Sequence, residues 1–386
     1  MMKAGDSNGP GIMAEKASKA GLTGGFKPKK DGPGWIMRIL SLLGIALVVG
    51  LILLFIWGLN FSTEFLAPEE NSRELVVVVP EGASSQRIGE VLEEAGAVRS
   101  AEAFVWTVKI KSRIKGQPIV LKAGEMTLDP SLPVWKNVDL IVKGNYKLYP
   151  FTIPEGKNMY EIAQMIESAG LGSKEDFLAL CRDRGFINSL GFSDEDSLEG
   201  YLFPDTYNFP KGTALKTIIK TMTDRFWKVW NKYEKVATEK KRARHQVITL
   251  ASIVEKETGA PQERGIIAGV FWNRLARGMK LQTDPTVVYG LENFSGTITR
   301  QDLNTPHPYN TYVIQGLPPG PIANPGEAAI NAVINPSVVP YYFFVSKNDG
   351  THQFSETLAD HNRAVNKYQR QPQQNTKQRR NQKKGR

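Results

Sequence analysis

The chain has 386 residues and a formal net charge of +10, room for two or three domains and a sizeable core. One cysteine, Cys181, excludes an intramolecular disulfide and a cysteine-based metal cluster. The four histidines (His245, His307, His352, His361) show no tight metal-ligand spacing, so neither a metal nor a cofactor is expected.

Residues 1–35 are a basic lead, with Lys16, Lys19, Lys27, Lys29 and Lys30. Residues 39–59 then read ILSLLGIALVVGLILLFIWGL, without a charge. About 20 apolar residues span a bilayer core as a helix, and Trp35 and Trp57 sit where interfacial anchors belong. The run is too long for a cleaved signal and lacks a small-residue cleavage site. The basic side stays in the cytoplasm, so the sequence predicts a cytoplasmic lead (1–35), a transmembrane helix (36–59), a linker (60–74) and an exported C-terminal bulk. Envelope and cell-wall substrates fit that topology. Nucleic acid does not, despite the tail NKYQRQPQQNTKQRRNQKKGR, whose last stretch (369–386) reads as disordered.

An internal repeat opens the exported part. Val79-Pro80-Glu81-Gly82 is followed by Ile88, Val91, Leu92 and Ala95-Gly96. Ile153-Pro154-Glu155-Gly156 is followed at the same spacings by Ile162, Met165, Ile166 and Ala169-Gly170. Each copy reads as strand, turn, amphipathic helix, glycine stop and second helix, with Ser85 and Asn158 as candidate N-caps. A strand over 118–128 and a helix-to-strand stretch ending near Val142 complete the first copy. The expected product is a β-α-α-β subdomain over 75–146, which resembles the sugar-gripping LysM module in plan.

Residues 147–368 are expected to form a mixed α+β domain. Apolar spacing predicts helices over 214–233, 246–258 and 262–277, the last stopped at Gly278. A strand over 341–346 and a helix over 356–368 follow among loops rich in Pro and Gly.

Three clusters could carry chemistry. In LEGYLFPDTYNF (198–209), Glu199 stands among Tyr201, Phe203, Tyr207 and Phe209. It is either a surface carboxylate beside core aromatics or an acid kept neutral by desolvation, as glycoside cleavage needs. Glu255 shares the inward stripe of its helix with Ile248, Ala251 and Ser252, and either pairs with Arg264 or Arg274 or lines a cleft. Gln282, Thr283 and Asp284, then Tyr309, Asn310 and Tyr312, then Asn324 sit in stiff Pro-dense segments that either cap loops or hold a ligand.

LEGYLFPDTYNF, ASIVEKET, LQTDPTVVYG, YNTY with GLPPGPIANPG, and FVSKNDGTHQFSETLADHN together resemble the YceG-like family, over roughly residues 71–368. The resemblance implies an inner-membrane lyase facing the periplasm or wall, with a LysM-like subdomain before its catalytic part. It implies cleavage within nascent peptidoglycan strands between N-acetylmuramic acid and N-acetylglucosamine, leaving 1,6-anhydromuramyl ends. It implies a role in ending glycan elongation beside penicillin-binding synthases. Glu199 becomes the expected catalytic residue, acid first and then base toward the muramyl 6-hydroxyl. Tyr201, Phe203, Asp205, Tyr207, Glu255, Gln282, Thr283, Asp284, Tyr309, Asn310, Tyr312 and Asn324 become the expected sugar contacts. Two rivals are a non-catalytic peptidoglycan-binding envelope protein and a water-using muramidase that pairs Glu199 with Asp205.

Overall fold

The computed structural model describes residues 34–64, 74–291, 294 and 296–370. Residues 1–33 of the expected lead, residues 65–73 of the linker and the tail beyond 370 lie outside these. The chain divides into two compact units, Met1–Glu69 and Glu70–Arg386.

The first unit holds helix α1 (Gly34–Glu64). Within its segment Gly34–Ile56 the most apolar 18-residue window has a mean hydropathy of 3.1, and none of that window is buried against protein. By length and composition it can cross a membrane. It runs five residues past Leu59, so the start of the expected linker is helical.

The second unit begins with β1 (Leu75–Val79), α2 (Ser85–Glu94), α3 (Ala101–Lys115), β2 (Gly124–Leu128) and α4 (Val134–Lys143). β1 and β2 pair antiparallel, from Leu75↔Leu128 to Val79↔Gly124. Their inner faces and α2, α3 and α4 bury Val77, Val79, Leu92, Phe104, Met126 and Ile141. α2 rides close on α3 because Gly89 has no Cβ, which would stand 2.9 Å from the Ala101 carbonyl oxygen. Ser84 rather than Ser85 caps α2, accepting from the Arg87 N–H. The second strand starts at Gly124, six residues later than read, and the stretch after it is the helix α4.

The repeat then recurs as β3 (Tyr149–Thr152), α5 (Met159–Ser168), α6 (Lys174–Leu180), α7 (Arg184–Ser189) and β4 (Thr206–Phe209). β3 pairs antiparallel with β4. Gly82 and Gly156, at the same place in the two copies, both have positive φ (68° and 75°), the left-handed turn that favours glycine. Asn158 caps α5 in a capping box with Glu161. In this copy, α7 and the 198–204 turn are inserted before the closing strand.

The remainder is α8 (Leu215–Trp230), α9 (Glu234–Glu239), α10 (Arg244–Glu257), a 3-10 turn (Pro261–Glu263), α11 (Arg264–Ala276), α12 (Asp284–Gly290), α13 (Arg300–Asn304), α14 (Glu327–Ile334), β5 (Phe343–Ser346), β6 (His352–Ser355) and α15 (Leu358–Val365). β5 and β6 form a third two-stranded antiparallel sheet. The described fold is mixed α+β. On α8, Ile218, Ile219, Met222, Phe226 and Trp230 are buried as their spacing predicts. α10 is the central helix, and every residue from Val247 to Val254 is buried rather than one stripe. The reason is α14, which covers α10 together with α11 and was read as loop. α12 and β6 also lie in stretches read as loop.

Candidate functional site

Glu199 sits in the turn between α7 and β4 and is 2% exposed. Gly200 makes this turn with a φ of 86°, and a Cβ there would meet Pro321 at 2.5 Å, so the turn presses on the Pro-dense loop. The carboxylate lies at the start of α5. Both its oxygens accept from the Met159 N–H, at 3.0 and 2.9 Å. Tyr289 donates to Oε2 at 3.0 Å and Asn324 Nδ2 to Oε1 at 3.2 Å. Burial pushes the pKa up to about 7, against the pull of the Met159 and Tyr289 donors. Asn324 also accepts from the Leu202 N–H and donates to the Lys157 carbonyl, joining three segments behind the acid.

The aromatics expected to surround Glu199 as sugar platforms are core instead. Tyr201 is fully buried, donates to Glu195 at 2.5 Å and meets the Phe226 ring edge-on. Phe203 and Tyr207 are buried, and the Tyr207 hydroxyl donates to the Phe203 carbonyl. Every residue of the turn from Leu198 to Pro204 is buried, and on β4 alternate residues, Tyr207 and Phe209, face inward, which turns this set into the hydrophobic centre. Asp205 pairs with Arg225 at 2.6 Å. Partial burial opposes its ionisation, but Arg225 and the Thr206 N–H outweigh it and hold its carboxyl below the usual range. Its side chain is committed to that pair and not to Glu199.

A cavity of about 740 Å³ adjoins Glu199 through Tyr289, and Tyr160, Lys256, Val288, His307 and Tyr309 also line it. The Tyr289 and Tyr309 rings lie 4.8 Å apart. Tyr309 therefore lines the cavity beside Tyr289. Asn310 does not: it is buried, and its Nδ2 donates to the Asp302 and Thr305 carbonyls as a loop brace.

A second acid lies across the end of α10. Glu257 lines a cavity of about 420 Å³ with Arg274, Gln282, Asp284, Tyr312 and His352. Its Oε1 accepts from the Thr283 hydroxyl. Burial raises its pKa, the Thr283 donor opposes this, and the negative charge of Asp284 raises it further. Tyr312 donates to Asp284 at 2.6 Å. Gln282 holds a left-handed φ of 49°, uncommon for a residue with a side chain. Its N–H donates to the Thr311 carbonyl, and Thr311 Oγ1 accepts from the Thr283 N–H. These bonds sew the 281–286 stretch to the 309–312 stretch.

The expected contacts thus divide. Gln282, Thr283, Asp284 and Tyr312 gather round Glu257, whereas Tyr309 and Asn324 belong with Glu199. Glu255 takes the structural option, accepting from Arg264 at 3.2 Å and from the Gly326 N–H at 3.0 Å. Arg274 instead donates to the Leu281 and Tyr342 carbonyls. The sequence reading missed Glu257, Tyr289, His352 and the Met159 N–H. A signal for Glu257 was available: it is the last acidic residue of a helix that opens directly onto Thr258-Gly259, where a side chain reaches loop space. Among the described residues no group of three or more metal-ligating side chains converges.

Comparison with known proteins agrees with the sequence resemblance. The YceG-like family pattern matches residues 77–367. The endolytic murein transglycosylase of Bacillus subtilis (strain 168) is 33% identical over 325 residues, covering 80% of this chain and 89% of the relative. That of Streptococcus pneumoniae serotype 2 (strain D39) is 32% identical over 342 residues, 80% of this chain and 61% of the longer relative. The 2.6 Å crystal structure of a YceG-like protein from Listeria monocytogenes superposes with a TM-score of 0.53 at 32% identity, covering 76% of this chain and 99% of that one. On the family pattern, the length of the shared sequence and the common fold, this chain belongs to the YceG-like family.

Proposed function

We propose that the chain is an endolytic lytic transglycosylase of peptidoglycan, held to the inner membrane by α1 with its C-terminal unit in the periplasm. It cuts the β-1,4 bond between N-acetylmuramic acid and N-acetylglucosamine within nascent strands and leaves a 1,6-anhydromuramyl end. Residues 75–146 act as the LysM-like subdomain, and the cut ends elongation beside a penicillin-binding synthase. The names of the relatives support the substrate and the reaction class.

One observation carries the choice of acid: Glu257, its pKa raised by burial, faces a cavity with Gln282, Asp284 and Tyr312. Its neutral carboxyl gives a proton to the glycosidic oxygen as the bond to C1 of the muramyl residue breaks. The negative charge of Asp284 lies where a developing oxocarbenium is favoured. The Glu257 carboxylate, steadied by the Thr283 hydroxyl, then takes the proton of the 6-hydroxyl, whose oxygen closes on C1. Water takes no part, so a second catalytic carboxylate is not required.

A second reading keeps Glu199 as the acid. What favours it is a pKa near 7 and a place behind Tyr289 at the larger cavity. What opposes it is that both its oxygens are already held by protein donors. The test is digestion of uncrosslinked glycan strands by the intact protein and by its Glu257→Gln and Glu199→Gln variants. Anhydro ends, one water lighter than hydrolytic ends, that vanish with Glu257→Gln support the first reading. Hydrolytic ends refute the transglycosylase, and binding without cleavage leaves a wall-binding protein.

A further inference from the structure

α3 buries one side and leaves the other bare. Phe104, Val105 and Val108 face the core. Trp106, Ile110 and Ile114, spaced by four, form one outer stripe and are 63%, 44% and 80% exposed. Val120, just after the helix, is 75% exposed. Next to the stripe, α4 presents Trp135, 45% exposed. Single exposed apolar residues are ordinary, but a row of two indoles and three aliphatic side chains on one small subdomain is not.

Cations frame the row. α3 carries Lys109, Lys111, Arg113 and Lys115 against the single carboxylate of Glu102. Lys109 lies 5.2 Å from the Trp106 ring centre, and Lys136 and Lys111 lie 4.6 and 5.5 Å from that of Trp135. Indoles, aliphatic side chains and flanking lysines on one helix face are the composition of a surface that rests in a lipid headgroup layer.

The covalent chain restricts where this face can go. Ten residue steps separate Glu64, the end of α1, from Glu74. Fully extended, they span about 35 Å. The 75–146 subdomain is therefore confined close to whatever bilayer α1 occupies, at a high effective concentration of headgroups.

We propose that the outer face of α3, with Trp135 and Val120, docks on the anionic headgroup surface of the membrane that α1 spans. This inference rests on the membrane-anchor reading of α1. A wall glycan is the poorer occupant. Sugar sites pair a stacking ring with side chains that bond hydroxyls, and Ile110, Ile114 and Val120 offer none. Lysines near an anionic surface are attracted within a Debye length, so the docking weakens with salt. Docked, the subdomain fixes the rest of the unit at a set height above the bilayer, where nascent strands emerge.

The test uses the full chain in lipid vesicles, with an environment-sensitive fluorophore on Ile110→Cys. Cys181 is fully buried, its thiol pushed up by burial, and does not label. A label on Val338→Cys, at a fully exposed position elsewhere in the chain, is the control. In vesicles rich in phosphatidylglycerol, emission at position 110 should shift to the blue and rise several-fold. Pure phosphatidylcholine or high salt should remove most of the change, and position 338 should not respond. Trp106→Glu with Ile114→Glu should abolish the shift while a carbonate-resistant membrane fraction persists. No shift in anionic vesicles, with the chain still embedded, overturns the docking and spares the anchor. A shift produced by added glycan strands in neutral vesicles overturns it in favour of the wall polymer. Loss of carbonate resistance in the parent protein overturns anchor and docking together.

Discussion

Glu257→Gln is the sharpest test of the site. Glutamine keeps the length and volume of the side chain, and its carbonyl still accepts from the Thr283 hydroxyl. It removes the proton that must pass to the leaving oxygen and the carboxylate that must take one back. A positioned general acid or base contributes a factor of about 10²–10⁴, and here one group serves both half-steps. The expected loss in turnover is about 10⁴-fold, or roughly 5.5 kcal/mol of transition-state stabilisation. Folding stability should change by less than about 1 kcal/mol, since neutral acid and amide have similar desolvation costs. The assay is release of anhydromuramyl fragments from glycan strands, followed by mass, with thermal unfolding in parallel. Because the active form is protonated, wild-type activity should fall as pH rises through the raised Glu257 pKa. Thr283→Val, which removes the donor that lowers that pKa, should move this limb to higher pH. Near wild-type release by a folded Glu257→Gln protein, with Glu199→Gln inert, would transfer the role to Glu199.

Glu199 itself carries a stability signature. The unfolded carboxyl titrates near 4.5 and the folded one near 7, so the folded state binds more protons between these values. Stability should be full below about pH 4.5 and fall as pH rises through 7, by up to roughly 3 kcal/mol. Glu199→Gln should flatten this slope in denaturant titrations across pH, and a slope that persists would refute the assignment. Glu199→Ala leaves the Met159, Tyr289 and Asn324 donors without their acceptor and should cost about 3 kcal/mol or more, seen as a lower melting temperature. Asp205→Asn breaks a half-exposed ion pair with Arg225 and should cost under about 1 kcal/mol, with cleavage kept within about twofold; complete inactivation would revive the paired-carboxylate muramidase. His245 places both ring nitrogens against acceptors, Glu195 and the Pro319 carbonyl, each at 2.8 Å. The Glu195 bond raises its pKa from 6.5, so its stabilisation is complete below about pH 6.5 and lost as pH rises through the folded value. Melting curves of His245→Gln should lack that step.

The repeat was readable because turns leave local marks: the PEG runs, the two glycine stops and Asn158 all act within their own segment. α14 left little trace. Its eight residues EAAINAVI follow a Pro- and Gly-dense loop, and packing on α10, rather than helical periodicity over a long window, holds them helical. The site shows the same division. Gln282, Asp284 and Tyr312 were singled out from their stiff loops, and they line one cavity with Glu257. Which acid they surround depends on α11 bringing residue 282 back beside residue 257, a long-range return that no short window contains. Glu255 and Glu257 lie two positions apart on α10, about 200° round the helix, so choosing the apolar stripe chose the structural partner of Arg264. Tyr201 and Tyr207 were misread because aromatic residues near a carboxylate look alike in sequence whether they stack on a ligand or fill a core.

α12 is seven residues long, and each end answers to a different cavity. Asp284 at its start faces Glu257, and Tyr289 near its end holds Glu199. Lys256 and Glu257 repeat the arrangement at the end of α10, one residue to each side. This short helix is a party wall: a substitution that tilts it disturbs both rooms. Kinetic effects of changes at Pro285, Val288 or Tyr289 will not add to those at Asp284, and a double-mutant cycle across α12 should show coupling even between side chains that never touch. Separating the two cavities experimentally calls for positions off the wall, such as Tyr160 on one side and His352 on the other.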